Sequence, residues 1–153
     1  MAGTRSAHQS RTADIRALEE ASAIREAWPL VSQLRPHLDP EQLATQLLRQ
    51  MAGGSFHAHV LYDDGVPRAY AGWRIHENLV YGRHMYVDDL VTDETERSKG
   101  HGRVLVDWLV ALAKAEGCVM FELDSGVHRA RAHAFYFAKG MHIAAFHFKM
   151  EIR

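Results

Sequence analysis

The stretch Tyr86-Val87-Asp88-Asp89-Leu90-Val91-Thr92-Asp93-Glu94-Thr95-Glu96-Arg97-Ser98-Lys99-Gly100-His101-Gly102 decides how this chain is read. It runs as a strand, a short acidic turn and a glycine-containing loop, and an amphipathic run follows at once. A strand-to-helix junction of this kind points unpaired backbone N–H groups and the positive end of a helix dipole at whatever lies in front of it. Gly100 and Gly102 lack the Cβ atoms that would hold an anion away. The junction is a candidate phosphate cradle.

Two familiar phosphate loops demand spacings that are missing here. A Walker loop needs Gly-Lys followed by a hydroxyl residue, whereas Lys99 precedes Gly100; a dinucleotide fingerprint needs three glycines in a spacing the stretch lacks. Arg97-Ser98-Lys99-Gly100-His101-Gly102 instead resembles the pyrophosphate loop of the GNAT acetyltransferases, Gln/Arg-x-x-Gly-x-Gly/Ala, which binds coenzyme A. The segment Ala132-His133-Ala134-Phe135-Tyr136-Phe137-Ala138-Lys139-Gly140-Met141 is similar to that family's second signature, Ala-x-x-hydrophobic-Tyr-x-x-x-Gly-Phe, with Met141 in the Phe place. The two signatures occur in the family's order, on elements of the expected kind.

Working outward, Leu105, Trp108, Leu109 and Leu112, with Val104, fall at helical spacing and Gly117 is the expected stop. Cys118 to Leu123 reads as a buried strand, and Arg129 to Lys139 as a second helix closed by Gly140. Upstream, a short strand is expected near Ala13 to Leu18. A helix follows, carrying Ile24, Trp28, Val31 and Leu34 and ending before Pro36. Asp39-Pro40-Glu41-Gln42 combines a capping residue, a proline at the first helical position and a glutamine three residues after the cap, opening a helix that runs to Gly53-Gly54. From Phe56 the period changes to two, with Asp63-Asp64-Gly65 as a hairpin turn before the partner strand Pro67 to Ile75. Arg83 to Thr92 is the next strand across, and His142 to Ile152 reads as one strand or a tight pair. The predicted order is β-α-α-β-β-β-α-β-α-β, an α/β (α+β mixed sheet) arrangement. It is also the order of the GNAT-like acyl-CoA N-acyltransferase fold, whose central, mostly antiparallel sheet is splayed at the cofactor cleft and flanked by four helices. Residues 1–12 read as a loose tail and 13–153 as a single GNAT-like domain.

The chain has 153 residues, 18 basic and 19 acidic, with a formal net charge of −1. That balance favours neither nucleic acid nor an anionic membrane, and any anion binding must be local. No apolar run approaches the ~20 residues a membrane span needs, and the N-terminus has no signal-peptide core. The single cysteine, Cys118, sits in an apolar strand context; with no disulfide framework indicated, a reducing cytoplasm is the expected location. His57 and His59 share a strand face, but no third ligand stands at a recognisable spacing, so no metal is expected.

The resemblance implies acetyl-coenzyme A as co-substrate. By position it assigns the main chain of Leu90, Val91 and Thr92 to the pantetheine and Arg97, Ser98, Lys99, Gly100, His101 and Gly102 to the pyrophosphate; Arg97 and Lys99 read equally as surface charges. Tyr136 matches the tyrosine that protonates the leaving sulfur, although a Tyr between Phe135 and Phe137 is also an ordinary core residue. Asp89 and Glu122, with Asp88 and His84 beside them, are candidates for the base that takes the amine's proton, and each has an alternative reading as a structural polar group. Where the family often has a cofactor-contacting asparagine, seven residues before the tyrosine, this chain has Arg129, which leaves that contact open and offers a charge toward a phosphate. The implied reaction is direct acetyl transfer in a ternary complex to a primary amine of a small molecule. The acceptor would be recognised by the first two helices and by Arg35, His37 and Asp39. A peptide or protein amine is the alternative acceptor, and a non-catalytic acyl-coenzyme A sensor the alternative of another class. The resemblance also implies a homodimer, with Ala144 to Ile152 as a sheet edge or pairing element.

Overall fold

The computed structural model describes residues 13–153, and the tail expected over residues 1–12 lies outside them. The elements are β1 (Asp14–Ala17), α1 (Ala21–Val31), α2 (Pro40–Ala52), β2 (Phe56–Asp63), β3 (Val66–Asn78), β4 (Gly82–Thr92), α3 (His101–Ala115), β5 (Met120–Leu123) and α4 (Ala130–Ala138). The strands lie side by side in chain order; β1 to β4 pair antiparallel, and β5 joins β4 in parallel.

Local chemistry accounts for the well-defined joints. Asp39 accepts from the Gln42 backbone N–H at 2.8 Å while its own N–H donates to the Gln42 side chain at 3.1 Å, a reciprocal cap with Pro40 just inside it. Asp64 and Gly65 both have positive φ, 50° and 75°, as a two-residue hairpin turn between the paired Asp63 and Val66 requires. The α1 helix stops at Val31, short of the stripe that continues to Leu34. There the backbone N–H groups of Leu34 and Arg35 both turn back onto the Val31 carbonyl, and Trp28 Nε1 donates to the Leu38 carbonyl at 2.8 Å.

The period-two pattern of β2 sorts onto the two faces of the sheet. Phe56, Ala58, Val60 and Tyr62 pack with Tyr70 and Val91 beneath α1 and α2. Leu61 joins Trp73, Met85, Val87, Leu105 and Leu109 beneath α3. Within α3, Leu105, Val106, Leu109 and Ala113 are buried while Val104 faces out.

Two expectations are corrected at the C-terminal side. The strand over Cys118 to Leu123 is not buried: Val119 and Met120 are exposed and the rest half-buried, because β5 has a strand neighbour on one side only. The segment expected as a last strand, His142 to Ile152, has no strand structure and its side chains are exposed. The preceding α4 has no buried residue, and an ion pair from Lys139 to Asp107 ties its end to α3.

Candidate active site

The parallel pairing of β4 with β5 runs only from His84–Met120 to Val87–Leu123. Beyond Val87, β4 continues for five residues, Asp88 to Thr92, with β3 on one side and no strand on the other. This is the splay, and the main-chain groups on its β5 side have no strand ladder to pair with. A β-bulge sits at the same place: Gly72 pairs with Asp89 and Trp73 with Val87, so Asp88 is the extra residue. The extra residue changes which face the following side chains meet. Met85 and Val87 pack under α3, whereas Asp89 and Val91 lie on the side of α1 and α2. Without the bulge Asp89 would follow Val87 onto the other face.

At the end of β4 the chain makes a single 3-10 turn, Glu94–Glu96, and then the loop into α3. Ser98 and Gly100 have φ of 78° and 84°. Gly100 is the cap of α3 and supplies no side-chain bond, so the first N–H groups of a 15-residue helix point outward unclaimed by a capping side chain. The two glycines do different work. A Cβ on Gly100 would meet nothing within 4 Å, so the space there is open, and it is the left-handed φ that calls for glycine. A Cβ on Gly102 would come within 2.6 Å of Thr92 Oγ1; the glycine lets the first turn of α3 lie against the end of β4. Lys99 pairs with Glu96 at 2.5 Å, and His101 Nε2 lies 3.3 Å from Asp63, with Nδ1 buried and unpartnered.

On the α1/α2 side, a cavity of about 320 Å³ opens between the two helices and the bulge. Arg35, His37, Gln46 and Gln50 supply its polar wall, Leu38 and Leu47 part of its apolar one, and Tyr70 and Asp89 line it from the sheet. Arg35 Nε donates to Asp89 Oδ1 at 2.8 Å. The Tyr70 hydroxyl is buried and has no hydrogen-bond partner, and burial, with Asp89 and Asp88 nearby, raises its pKa, so it is a neutral donor held ready at the cavity wall. Asp88 accepts from Arg74 Nε at 2.7 Å. Glu122 lies 3.3 Å from the nearly buried His84 Nε2, whose Nδ1 is 2.9 Å from the Gly82 carbonyl. Glu122 is therefore engaged at the paired end of β5, and Asp89 is the carboxylate that meets the cavity.

A model of the acetyltransferase (GNAT) family matches residues 19–142. The chain belongs to that family. It is 33% identical over 128 residues, 83% of this chain and 90% of the other, to the uncharacterized N-acetyltransferase YhdJ of Bacillus subtilis (strain 168). This GNAT protein is accordingly a transferase. Its fold matches glucosamine-6-phosphate N-acetyltransferase of Arabidopsis thaliana with TM-score 0.73 and 23% identity, over 94% of this chain and 100% of that one. It matches the aminoglycoside N-acetyltransferase AAC(6')-Iy, solved with CoA, with TM-score 0.77 and 18% identity over 94% and 98%.

In the GNAT chain Tyr136 lies on α4, half-buried, its ring edge-on to Phe135 with centroids 5.6 Å apart. Burial raises its pKa and the nearby Arg129, which caps α4, opposes the rise. Leu90, Val91 and Thr92 lie on the splayed half of β4, and Arg97 to Gly102 at the mouth of α3. The sequence reading missed Tyr70, because an aromatic residue in a strand run is normally core, and it missed the bulge that aims Asp89. His57 and His59 serve Trp73: one stacks on its ring at 4.4 Å and the other accepts from Nε1 at 3.1 Å. Among the described residues no cluster of three or more His, Cys, Asp or Glu is poised for a metal, and no helix is long and apolar enough to cross a membrane.

Proposed function

We propose that this GNAT protein transfers the acetyl group of acetyl-coenzyme A to a primary amine of a small molecule, by direct transfer in a ternary complex. The observation that carries the reading is the splay of β4 from β5 beyond Val87, with an uncapped helix N-terminus at one end and the cavity bearing Asp89 on the α1/α2 side. The residues present fit the co-substrate: the unpaired side of the main chain along Leu90, Val91 and Thr92, away from β3, for an amide-bearing arm, and the open space at Gly100 for a pyrophosphate. Arg97, Ser98, Lys99, His101 and Gly102 complete that loop, and Arg129 is a further cation for a phosphate. Acetyl-coenzyme A, when bound, supplies a thioester carbonyl with a thiolate leaving group.

The chain's own residues then have two protons to manage. Asp89 takes the proton of the incoming amine, directly or through water, so that the nitrogen lone pair is free to attack the carbonyl carbon. Tyr136 gives a proton to the sulfur as the C–S bond breaks; burial keeps the phenol protonated at neutral pH. A backbone N–H on the splayed half of β4 donates to the carbonyl oxygen as it becomes an oxyanion. Glu122, held by His84, acts as a structural group or a distant base. The cavity's size, between two helices, favours a small acceptor over an extended peptide. The domain over residues 13–153 would act in the cytoplasm, where acetyl-coenzyme A is available, and as a homodimer.

The test is release of coenzyme A thiol with a panel of small amines and amine-bearing peptides. Turnover with a small amine is expected. Turnover with peptides alone would replace the acceptor class, and binding of coenzyme A with no turnover on any amine would overturn the enzymatic reading.

A further inference from the structure

We infer that Arg74 is a positioning residue for Asp89: by gripping the carboxylate of Asp88, it decides which of two neighbouring aspartates meets the acceptor cavity. The inference rests on the reading of Asp89 as the group that takes the amine's proton, and it names what holds that group in place. Val87 packs under α3 and Val91 beneath α1 and α2, although residues four apart on a regular strand share a face. One extra residue must therefore stand between them. Leu90 packs on the α3 side, as Val87 does, which confines the extra residue to Asp88 or Asp89. The apolar pattern goes no further, because either aspartate opposite Gly72 satisfies it.

Arg74 makes the choice. It stands on β3 opposite Tyr86 and next to Phe56 of β2. Its Nε donates to Asp88 Oδ2 at 2.7 Å, and its guanidinium carbon lies 4.9 Å over the centre of the Phe56 ring. That ring is buried in the space that Gly72, opposite Asp89, leaves by having no Cβ, since a Cβ there would come within 2.8 Å of it. Gly72, Phe56, Arg74 and Asp88 thus form one chain of contacts around the bulge. The grip is sheltered: the Arg74 side chain is 26% exposed, against 43% for Arg35. Held this way, Asp88 takes no part in the cavity wall, and Asp89 stands in it. Loss of Arg74 leaves two adjacent carboxylates to compete for Arg35 and for the place opposite Gly72.

The test is a double-mutant cycle on kcat, read by thiol release with an accepted amine. Arg74→Leu and Asp88→Asn break the contact from opposite sides. Each is expected to lower kcat by on the order of 10–10²-fold, the cost of displacing a reacting group by about 1 Å. Coenzyme A affinity is expected to stay unchanged. Arg74→Lys keeps the charge without the planar stack, so it is expected to recover part of the loss. Asp89→Asn is expected to lower kcat on its own, and adding Arg74→Leu to it is expected to cost nothing further, because Arg74 acts through Asp89. Should Arg74→Leu fail to fold, Asp88→Asn, which keeps the shape of its side chain, takes its place in the cycle. Full kcat in the variants that break the contact overturns the inference, and so does a loss that adds in full to that of Asp89→Asn. An Asp89→Asn enzyme with unchanged kcat overturns the reading of Asp89 as the base, and the role of Arg74 falls with it.

Discussion

Arg35 donates to Asp89, tying the turn after α1 to the bulge of β4 across the mouth of the cavity. The contact ties together two devices that were set separately. The turn places Arg35 because the helix stops at Val31 and the next N–H groups fold back on that carbonyl. The bulge places Asp89 because Asp88 has no residue opposite it in the register with β3.

The pair gives a prediction for two variants. Asp89→Asn keeps the shape and removes the charge; if Asp89 takes the amine's proton, kcat is expected to fall by on the order of 10²–10⁴. Arg35→Ala is expected to cost less than about 1 kcal/mol in stability, since the guanidinium is half-exposed, while raising KM for the amine. Steady-state kinetics and melting curves on both variants check this. An Asp89→Asn enzyme with unchanged kcat would move the proton to water or Glu122.

At the loop the two glycines predict opposite behaviour. Gly100→Asn keeps a residue that tolerates the left-handed φ and fills the space in front of α3, so coenzyme A affinity is expected to drop with little loss of stability. Gly102→Ala is expected to destabilise through Thr92 Oγ1, 2.6 Å from the new Cβ, and Thr92→Ala is expected to restore it. Calorimetry with coenzyme A and thermal melts of the three chains distinguish the cases. A Gly102→Ala deficit that survives Thr92→Ala would place the obstruction at the ligand instead.

Much of this was legible beforehand, for identifiable reasons. The cap at Asp39 and the turn at Asp64-Gly65 are local chemistry, fixed by residues within four positions of each other. The alternation from Phe56 to Tyr62 needs only that one face be apolar. The bulge is different: it depends on the register of β3 against β4, through Gly72, where a Cβ would strike the Phe56 ring at 2.8 Å. Neither strand announces that alone. The Tyr70 hydroxyl is unpartnered only because of where the cavity opens, and its sequence context is that of any core tyrosine. The apolar alternation from Phe146 to Ile152 reads as a strand, yet the segment forms none, because a strand needs a neighbour to pair with and local alternation does not supply one.

The histidine beneath Trp73 predicts a pH dependence of stability. Burial, with His57 nearby, lowers the His59 pKa to about 4, below the ordinary value of 6.5. The unfolded chain therefore binds the extra proton first as pH falls. Stability is full above about pH 6.5 and is lost progressively between there and about pH 4, by about 1–2 kcal/mol once partial exposure is allowed for. Denaturant melts of the native chain and of His59→Leu over this range check it. The variant is expected to show a flatter profile, and two parallel profiles would assign the acid loss to carboxylates.

The last prediction concerns Tyr136. Its phenol is half-buried and its pKa lies above the ordinary 10, so an acid at this position remains protonated through the whole working range. Thiol release should then rise with pH as the amine loses its proton and show no fall below pH 10. Tyr136→Phe removes one hydroxyl and keeps the ring against Phe135, so folding and coenzyme A affinity are expected to survive. The turnover number is expected to fall by on the order of 10²–10⁴. If the phenol were only a packing group, the same substitution would cost about 1 kcal/mol of stability and leave turnover nearly intact. With an accepted amine at saturating acetyl-coenzyme A, thiol release and melting temperature measured together separate the two. An active but destabilised variant would exclude Tyr136 as the essential acid and leave the sulfur to take its proton from water.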